Sequence, residues 1–407
     1  MRVTTLLNKV LRLPGLWVRG VRFREGMVVI LIAPRFRRLT CSVCGTQVRG
    51  RFERTRRRWR HLSLWGLRTE LEGPIRRLRC PTCQAVRTEA VPWARPGSKF
   101  TRPFEDVVAF LTQQLNHTAV SSMLGISWST VGAIAGRLVA EKLDERRFDG
   151  LVRIGVDEIS FRRRHKYLTI VLNHDTGKVV WVGEGKSSET LKDFFGQLSP
   201  EQLARIEVVS MDLSAAYQKA VREALPGAEV VFDTFHLAQL AQRALDEVRR
   251  SLMRVLEPDE RQPLKKSRWA LLKTPETLDP SQEAKLSAIQ KTNAPLYRAY
   301  LLKESFLDAL GSCVTREEAE AELGAWLSWA SRCRLKPFVR LGRTIRKHLH
   351  GILALVETRL SNGRLEGMNN KIRLLSHRAY GFHSAPPLIA TIYLCCADVR
   401  IDAPQLI

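Results

Sequence analysis

Apolar and polar positions alternate in short runs through roughly the first hundred residues, with the longest apolar stretch at 27–33. A period of two is the signature of half-buried strands, so this segment is predicted to be β-rich. It closes on Val91-Pro-Trp-Ala-Arg-Pro-Gly97, a composition that predicts a linker. From Pro103 to Leu143 the period changes to that of a helix. Phe104, Val107, Val108 and Leu111 form one stripe, and Asn116-His117 marks a break. Strand patterns return at 153–161, 167–173 and 179–184, and again, each after a helical pattern, at 206–212 and 228–233, which predicts a mixed α/β sheet. From 237 to about 360 the chain reads as helical and charged, with Trp269, Trp326 and Trp329 and with breaks at Pro263, Pro275, Pro280 and Pro295. The chain therefore divides into residues 1–98, 99–148, 149–236, 237–358 and 359–407.

Charge sharpens this picture. The 407 residues carry a formal net charge of +25. Residues 1–100 hold 23 Lys and Arg against 5 Asp and Glu, a local excess of +18. Such an excess points to a polyanion and to salt-dependent binding, and it argues against an ordinary metabolic enzyme. No signal-peptide pattern opens the chain, and the run at 27–33 is far too short to cross a bilayer. A reducing, cytoplasmic setting with no membrane partner is expected, because four of the eight cysteines form two Cys-x-x-Cys pairs and the others are scattered.

Those pairs, Cys41-Ser-Val-Cys44 and Cys80-Pro-Thr-Cys83, have the spacing that aims two thiolates at one Zn²⁺. The 35 residues between them leave two readings, one structural zinc site or two separate pairs of buried thiols. If zinc joins them, the intervening Arg56, Arg57, Arg58 and Arg60 are held toward a phosphate backbone, with Trp59 and Trp65 expected in packing. A redox role is disfavoured, since neither pair opens a helix in a βαβ unit. Residues 118–131 have helix-turn-helix spacing, with Gly125 at the turn, Ser127 as N-cap, and Val131 and Ile134 facing inward. Trp128, Ser129, Thr130 and Arg137 on the second helix are then the candidate groove contacts. Cys395 and Cys396 read as core thiols.

Phosphodiester chemistry with two divalent ions needs carboxylates from distant segments to converge. Asp157 lies in the first strand of the mixed sheet, Asp212 ends a later apolar strand, and Glu366 lies in Ser361-Asn-Gly-Arg-Leu-Glu-Gly-Met-Asn-Asn-Lys-Ile-Arg373. Glu158 adjoins Asp157, and strand alternation predicts that only one of the two faces the metals.

The segments GVDE, SMDLS, FDTFH and SNGRLEGMNNKIR follow in that order after a Cys-pair segment and a helix-turn-helix. Together they resemble the DDE transposases of the ISL-three insertion-sequence family over nearly the whole chain, least in residues 1–40 and in the helical insertion. The resemblance implies a ribonuclease H-like α/β catalytic core with an all-helical insertion, preceded by a zinc-binding β-rich domain and a helix-turn-helix. It implies Asp157, Asp212 and Glu366 as ligands of Mg²⁺ or Mn²⁺, and His236, in Asp233-Thr-Phe-His, as an auxiliary catalytic residue. Asn362, Arg364, Asn369, Lys371 and Arg373 are candidate DNA contacts, and Ser361 or Asn362 is expected to cap the Glu366 helix. The expected partner is double-stranded DNA, both element ends and target, bound by a homodimer at the nucleoid. The alternative is a zinc and helix-turn-helix regulator with a silent core.

Overall fold

The computed structural model describes residues 2–402 apart from Arg51, 163–165, Pro263, 361–362 and Tyr380. It divides into two compact units, one formed by Met1–Asp144 with Leu375–Ile407 and the other by Glu145–Leu374.

The first unit opens with helix α1 (Val3–Val10), followed by β1 (Leu16–Arg24), β2 (Met27–Pro34), β3 (Leu39–Thr40), β4 (Gln47–Val48), β5 (Glu53–Leu64), β6 (Leu67–Cys80) and β7 (Ala85–Thr88). A five-stranded sheet runs in the order β1-β2-β6-β5, with β7 on the far end of β6, while β3 and β4 form a separate two-stranded ribbon. Leu64 pairs with Leu67 across a turn whose central residues, Trp65 and Gly66, both have positive φ (51° and 78°). Both angles suit a two-residue hairpin turn matched to strand twist. Trp65 stands exposed at that tip rather than in packing, whereas Trp59 is buried. Val18, Ile30, Ile32, Trp59, Leu71 and Ile75 fill one face of the sheet.

Residues 91–98, which composition marks as a linker, are instead part of the core. Trp93 is fully buried against Trp59, with ring centroids 5.6 Å apart at 90°. Arg95 is buried and holds three carboxylates: Glu141 at 2.6 Å, Asp106 at 2.7 Å and Glu105 at 3.3 Å. Proline and glycine report turning backbone and not exposure, so the composition misleads here.

Helices α2 (Arg102–Gln114), α3 (His117–Leu124) and α4 (Trp128–Lys142) follow. Asn116 caps α3 by accepting from Ala119 N, Gly125 takes the left-handed conformation (φ 57°), and Ser127 caps α4 by accepting from Thr130 N. The bend between α3 and α4 is 105°, within the helix-turn-helix range. Val131 and Ile134 are fully buried. The last helix of the chain, α17 (Ala385–Cys396), expected in the catalytic core, belongs to this first unit, where it packs on α4. Gly132 makes that approach possible, since a Cβ there would lie 3.2 Å from Pro387 Cβ. Cys396 is buried and Cys395 half-buried.

The second unit holds β8 (Arg153–Arg162), β9 (Lys166–Asn173), β10 (Lys178–Glu184), α5 (Ser188–Phe195), α6 (Pro200–Ala204), β11 (Val208–Met211), α7 (Ala215–Ala224), β12 (Glu229–Phe232) and α8 (Thr234–Val255). Its sheet order is β10-β9-β8-β11-β12. The first three strands are an antiparallel meander, β11 runs parallel to β8, and β12 parallel to β11. Helix α8 is uninterrupted from Thr234, so the expected division at 236/237 falls inside one helix. The helical stretch continues as α9 (Pro258–Arg261), α10 (Arg268–Leu272), α11 (Pro280–Thr292), α12 (Ala294–Ser312), α13 (Arg316–Arg332), α14 (Lys336–Lys347) and α15 (Leu349–Thr358), then α16 (Gly363–Arg378). Pro280 and Pro295 sit in the first turns of α11 and α12, where a missing N–H does no harm, and Pro263 lies outside the described residues. Helices α8 and α10 to α15 share one hydrophobic core with the sheet. Among the described residues no single helix is long and apolar enough to cross a membrane.

Removing one member of a buried charge network leaves the others desolvated and unpaired, at about 3–5 kcal/mol. Arg95→Met should therefore lower the unfolding free energy of the full-length protein by roughly that amount, read by denaturant titration with Trp fluorescence. A loss below about 1 kcal/mol, the level of a surface pair, would show that the network is dispensable.

Candidate functional site

The four motif cysteines converge. Cys44 and Cys80 sulfurs are 3.3 Å apart, Cys41 and Cys83 sulfurs 3.9 Å, and all four lie within 4.8 Å of one another. Zn–S bonds of about 2.3 Å set tetrahedral S···S edges of about 3.8 Å, so the cluster has the size of one zinc site. Each pair is followed by a residue at positive φ, Gly45 (74°) and Gln84 (52°), which turns the chain back under the thiols. The Thr46 hydroxyl beside Cys44 pulls its thiol down to about 6, toward the thiolate a metal requires. The reading as two unrelated pairs falls away.

A second cavity, of about 320 Å³, is lined by Asp157, Glu158, Asp212, Asp233, Phe235, His236, Leu365, Glu366, Asn369 and Arg373. Asp157 comes from β8, Asp212 from the residue after β11, His236 from the first turn of α8, and Glu366 from the first turn of α16. Gly155 explains how α16 approaches β8: a Cβ there would fall 2.8 Å from His174 Nε2 and 3.3 Å from both Leu365 Cδ2 and Ser210 Oγ. Arg364 fastens the start of α16 by donating to the carbonyls of His174 and Asp175. It therefore serves as a clamp within the unit rather than as a free DNA contact. Ser361 and Asn362, the expected caps, lie outside the described residues.

Each acid has a defined setting. Asp157 accepts from Glu158 N at 2.8 Å and from Asn369 Nδ2 at 2.5 Å, and burial raises its carboxyl above the usual range. Asn369, expected to touch DNA, is buried beside Asp157. Asp212 accepts from Ser214 N at 2.9 Å. Both Asp157 and Glu158 line the cavity, contrary to simple strand alternation. The β8–β11 ladder ends at Gly155, so on the β11 side the two acids lie past the paired stretch while both remain paired to β9, at Ile170 and Thr169. Burial, together with Asp212 and Asp157, pushes Glu158 up to about 7. His236 Nδ1 lies 3.0 Å from Asp233 Oδ2, and that hydrogen bond raises its pKa. Phe235, which sequence reasoning left out, lines the cavity while half its surface stays exposed; only its place beside His236 signalled it.

The candidate DNA contacts sort unevenly. Arg56 is exposed, 3.5 Å from Glu72, and Arg58 donates to Glu72 at 2.8 Å. Arg57 donates to Gly97 O and Arg60 to Gly125 O, the latter guanidinium also lying over the Phe104 ring. Ser129 is exposed and Thr130 half-exposed at the start of α4. Trp128 is half-buried against His117 and Phe382, and Arg137 is bound to the buried Glu105 at 2.5 Å, which gives both residues structural work. Lys371 and Arg373 are exposed on α16.

Comparison with known proteins matches these parts in order. Residues 37–83 match the zinc-finger of transposases IS204/IS1001/IS1096/IS1165, residues 89–139 the helix-turn-helix domain of transposase family ISL3, and residues 154–392 the DDE-type ISL3 model described as transposase. The transposase for insertion sequence element IS1557 of Mycobacterium tuberculosis is 40% identical over 86% of this chain and 83% of its own length. The transposase for insertion sequence element IS1001 of Bordetella parapertussis is 30% identical over 87% of each chain. The chain belongs to the ISL3 family of insertion-sequence transposases. Its zinc-finger match and its four-cysteine cluster support a structural zinc.

Protein purified without chelator should carry about one zinc per chain. Cys80→Ser should lose it and unfold the β-rich part of the first unit, seen as loss of the buried Trp59 and Trp93 fluorescence. Unchanged zinc content in that variant would remove the site.

Proposed function

We propose that this protein binds the terminal inverted repeats of its insertion sequence and cuts and joins DNA there at the cavity holding Asp157, Asp212 and Glu366. One observation carries the reading: three acids from distant stretches of chain, with His236, line a single cavity at the open end of a sheet. The order β10-β9-β8-β11-β12, an antiparallel meander extended by two parallel strands, supports a ribonuclease H-like core. The matched family and relatives are named transposases, and none favours the regulator with a silent core.

The donor set suits Mg²⁺ or Mn²⁺, being hard carboxylate oxygen. Among the described residues only the four cysteines draw three or more ligand atoms within 4.8 Å. The acids ring a wider space, in keeping with two ions about 3.5–4 Å apart. Asp157, raised by burial and further by the charge of Asp212, sits where a cation would relieve the repulsion. Asp157, Asp212 and Glu366 would hold the ions, which when bound supply Lewis acidity toward phosphodiester oxygens and a lowered pKa for bound water.

The protein's own groups do the rest. Asn369 fixes the Asp157 carboxylate, while Asp233 holds His236 and favours its charged form, which offsets the acids and faces phosphate. Arg373 on the rim offers a guanidinium to the backbone. Hydrolysis at an element end frees a 3′-hydroxyl, and in-line attack of that hydroxyl on a target phosphodiester joins the strands with no covalent protein–DNA bond. Ser129 and Thr130 meet the major groove, and the basic strands and Lys371 meet phosphates. An element has two ends, so a homodimer carries the reaction, at the nucleoid in the cytoplasm.

Glu366→Gln keeps shape while removing charge. It should fold, bind end DNA and lose metal-dependent cleavage by roughly a hundred- to a thousand-fold, the scale on which removing one electrostatic stabiliser acts. The control is Glu357→Gln. Glu357 is exposed and pairs with Arg316 at 3.0 Å on the helical side, and its variant should cleave normally. The opposite pattern in the two variants would identify a different acid.

A further inference from the structure

The segment before residue 37, which lies outside all three family matches, forms one wall of a groove whose other wall comes from β5. The parallel β2–β6 ladder ends at Leu31↔Glu72, while β1–β2 continues to Leu16↔Pro34 and β5–β6 to Glu53↔Arg77. Pro74, with no N–H to donate, stops β6 from pairing further with β2. The two hairpins therefore part. Gly73 keeps the base of the fork closed, since a Cβ there would lie 2.6 Å from Ile32 Cγ1.

The fork encloses a groove of about 560 Å³. One wall carries Arg19 and Arg22 from β1, the other Arg54 and Arg56 from β5, and Leu31, Ala33 and Pro74 line the floor. The other face of the sheet is filled by the core of Val18, Ile30, Trp59 and Leu71. Glu72, the one carboxylate in the lining, is already engaged by Arg58 and Arg56. Arg19, Arg22 and Arg54 are exposed and have no carboxylate partner among the described residues. Four guanidiniums on facing walls, above an apolar floor and with one shared counter-charge, form a trough that wants an extended polyanion.

We propose that this groove grips one sugar-phosphate strand of duplex DNA, the arginines taking phosphates on either side and Leu31, Ala33 and Pro74 lying against sugars. The proposal rests on the DNA-binding reading above and adds a contact surface built by the N-terminal hairpin. The contact is to backbone, so it sets affinity and register without reading sequence.

The test uses full-length protein and a mixed-sequence duplex of about forty base pairs, with the dissociation constant measured across a salt series. Each phosphate contact contributes about one to the slope of log affinity against log salt, so Arg19→Ala/Arg22→Ala should lower the slope by about two. Arg37→Ala/Arg38→Ala, of equal charge change but outside the groove, should leave it unchanged. Zinc content and thermal melting of both variants, matched to wild type, exclude misfolding as the cause. An unchanged slope in the groove variant, or equal falls in both pairs, would overturn the groove. So would a change in self-association with DNA binding intact, which would make a second copy the occupant. Wild-type protein without salt-dependent DNA binding would instead sink the underlying DNA-binding reading.

Discussion

Arg95, buried among Glu105, Asp106 and Glu141, is the contact on which the first unit depends. Glu105 is itself fully buried and also receives Arg137 and the hydroxyl of Ser98. Two charges taken from water are tolerated only when each is satisfied by several partners, and here the partners come from the 91–98 segment, α2 and α4. The β-rich part and the helix-turn-helix are thereby fixed to each other through side chains that could have met solvent phosphate. Arg60, which donates to Gly125 O at the helix-turn-helix corner, adds a second tie. Some of the basic excess of this unit is structural mortar, and only the remainder faces a partner.

In the second unit the governing constraint is the burial of neighbouring acids. Asp157, Glu158 and Asp212 are brought to one cavity, where burial first and then their mutual repulsion raise the carboxyls of the first two. The protein meets part of it with neutral donors, Asn369 and the main-chain N–H groups of Glu158 and Ser214, and part with His236. The absence of a side chain at Gly155 is as important as any carboxylate, because it lets Leu365, and with it Glu366, sit against β8.

What could be read from the sequence was what rests on local rules. The helix-turn-helix was legible because Gly125 and Ser127 have backbone jobs that few other residues do well. Strands β8 to β12 were legible from apolar periodicity, to within two residues at their ends. The cavity residues were named from motif order; their distances were not, because nothing local fixes them. Long-range packing was hidden. Residues 91–98 look like a linker until Trp93 is seen against Trp59, and Arg137 looks like a groove contact until Glu105 is found beneath it. The arginines of β5 read as one cluster, yet pleating sends Arg56 and Arg58 to one face and turns Arg57 toward Gly97.

The placement of α17 against α4 has a consequence for synthesis. The ribosome makes these two helices about 240 residues apart, with the residues of the acid cavity between them. The DNA-binding unit therefore cannot finish its core until the cavity-bearing unit has already been translated. A chain stopped after residue 374 keeps the carboxylates that line the cavity but removes one of the helices that cover the buried side of α4. Translation order thus places the covering of α4 after synthesis of the residues that line the acid cavity, and a product shortened there keeps the cavity's acids while losing a packed face of the first unit.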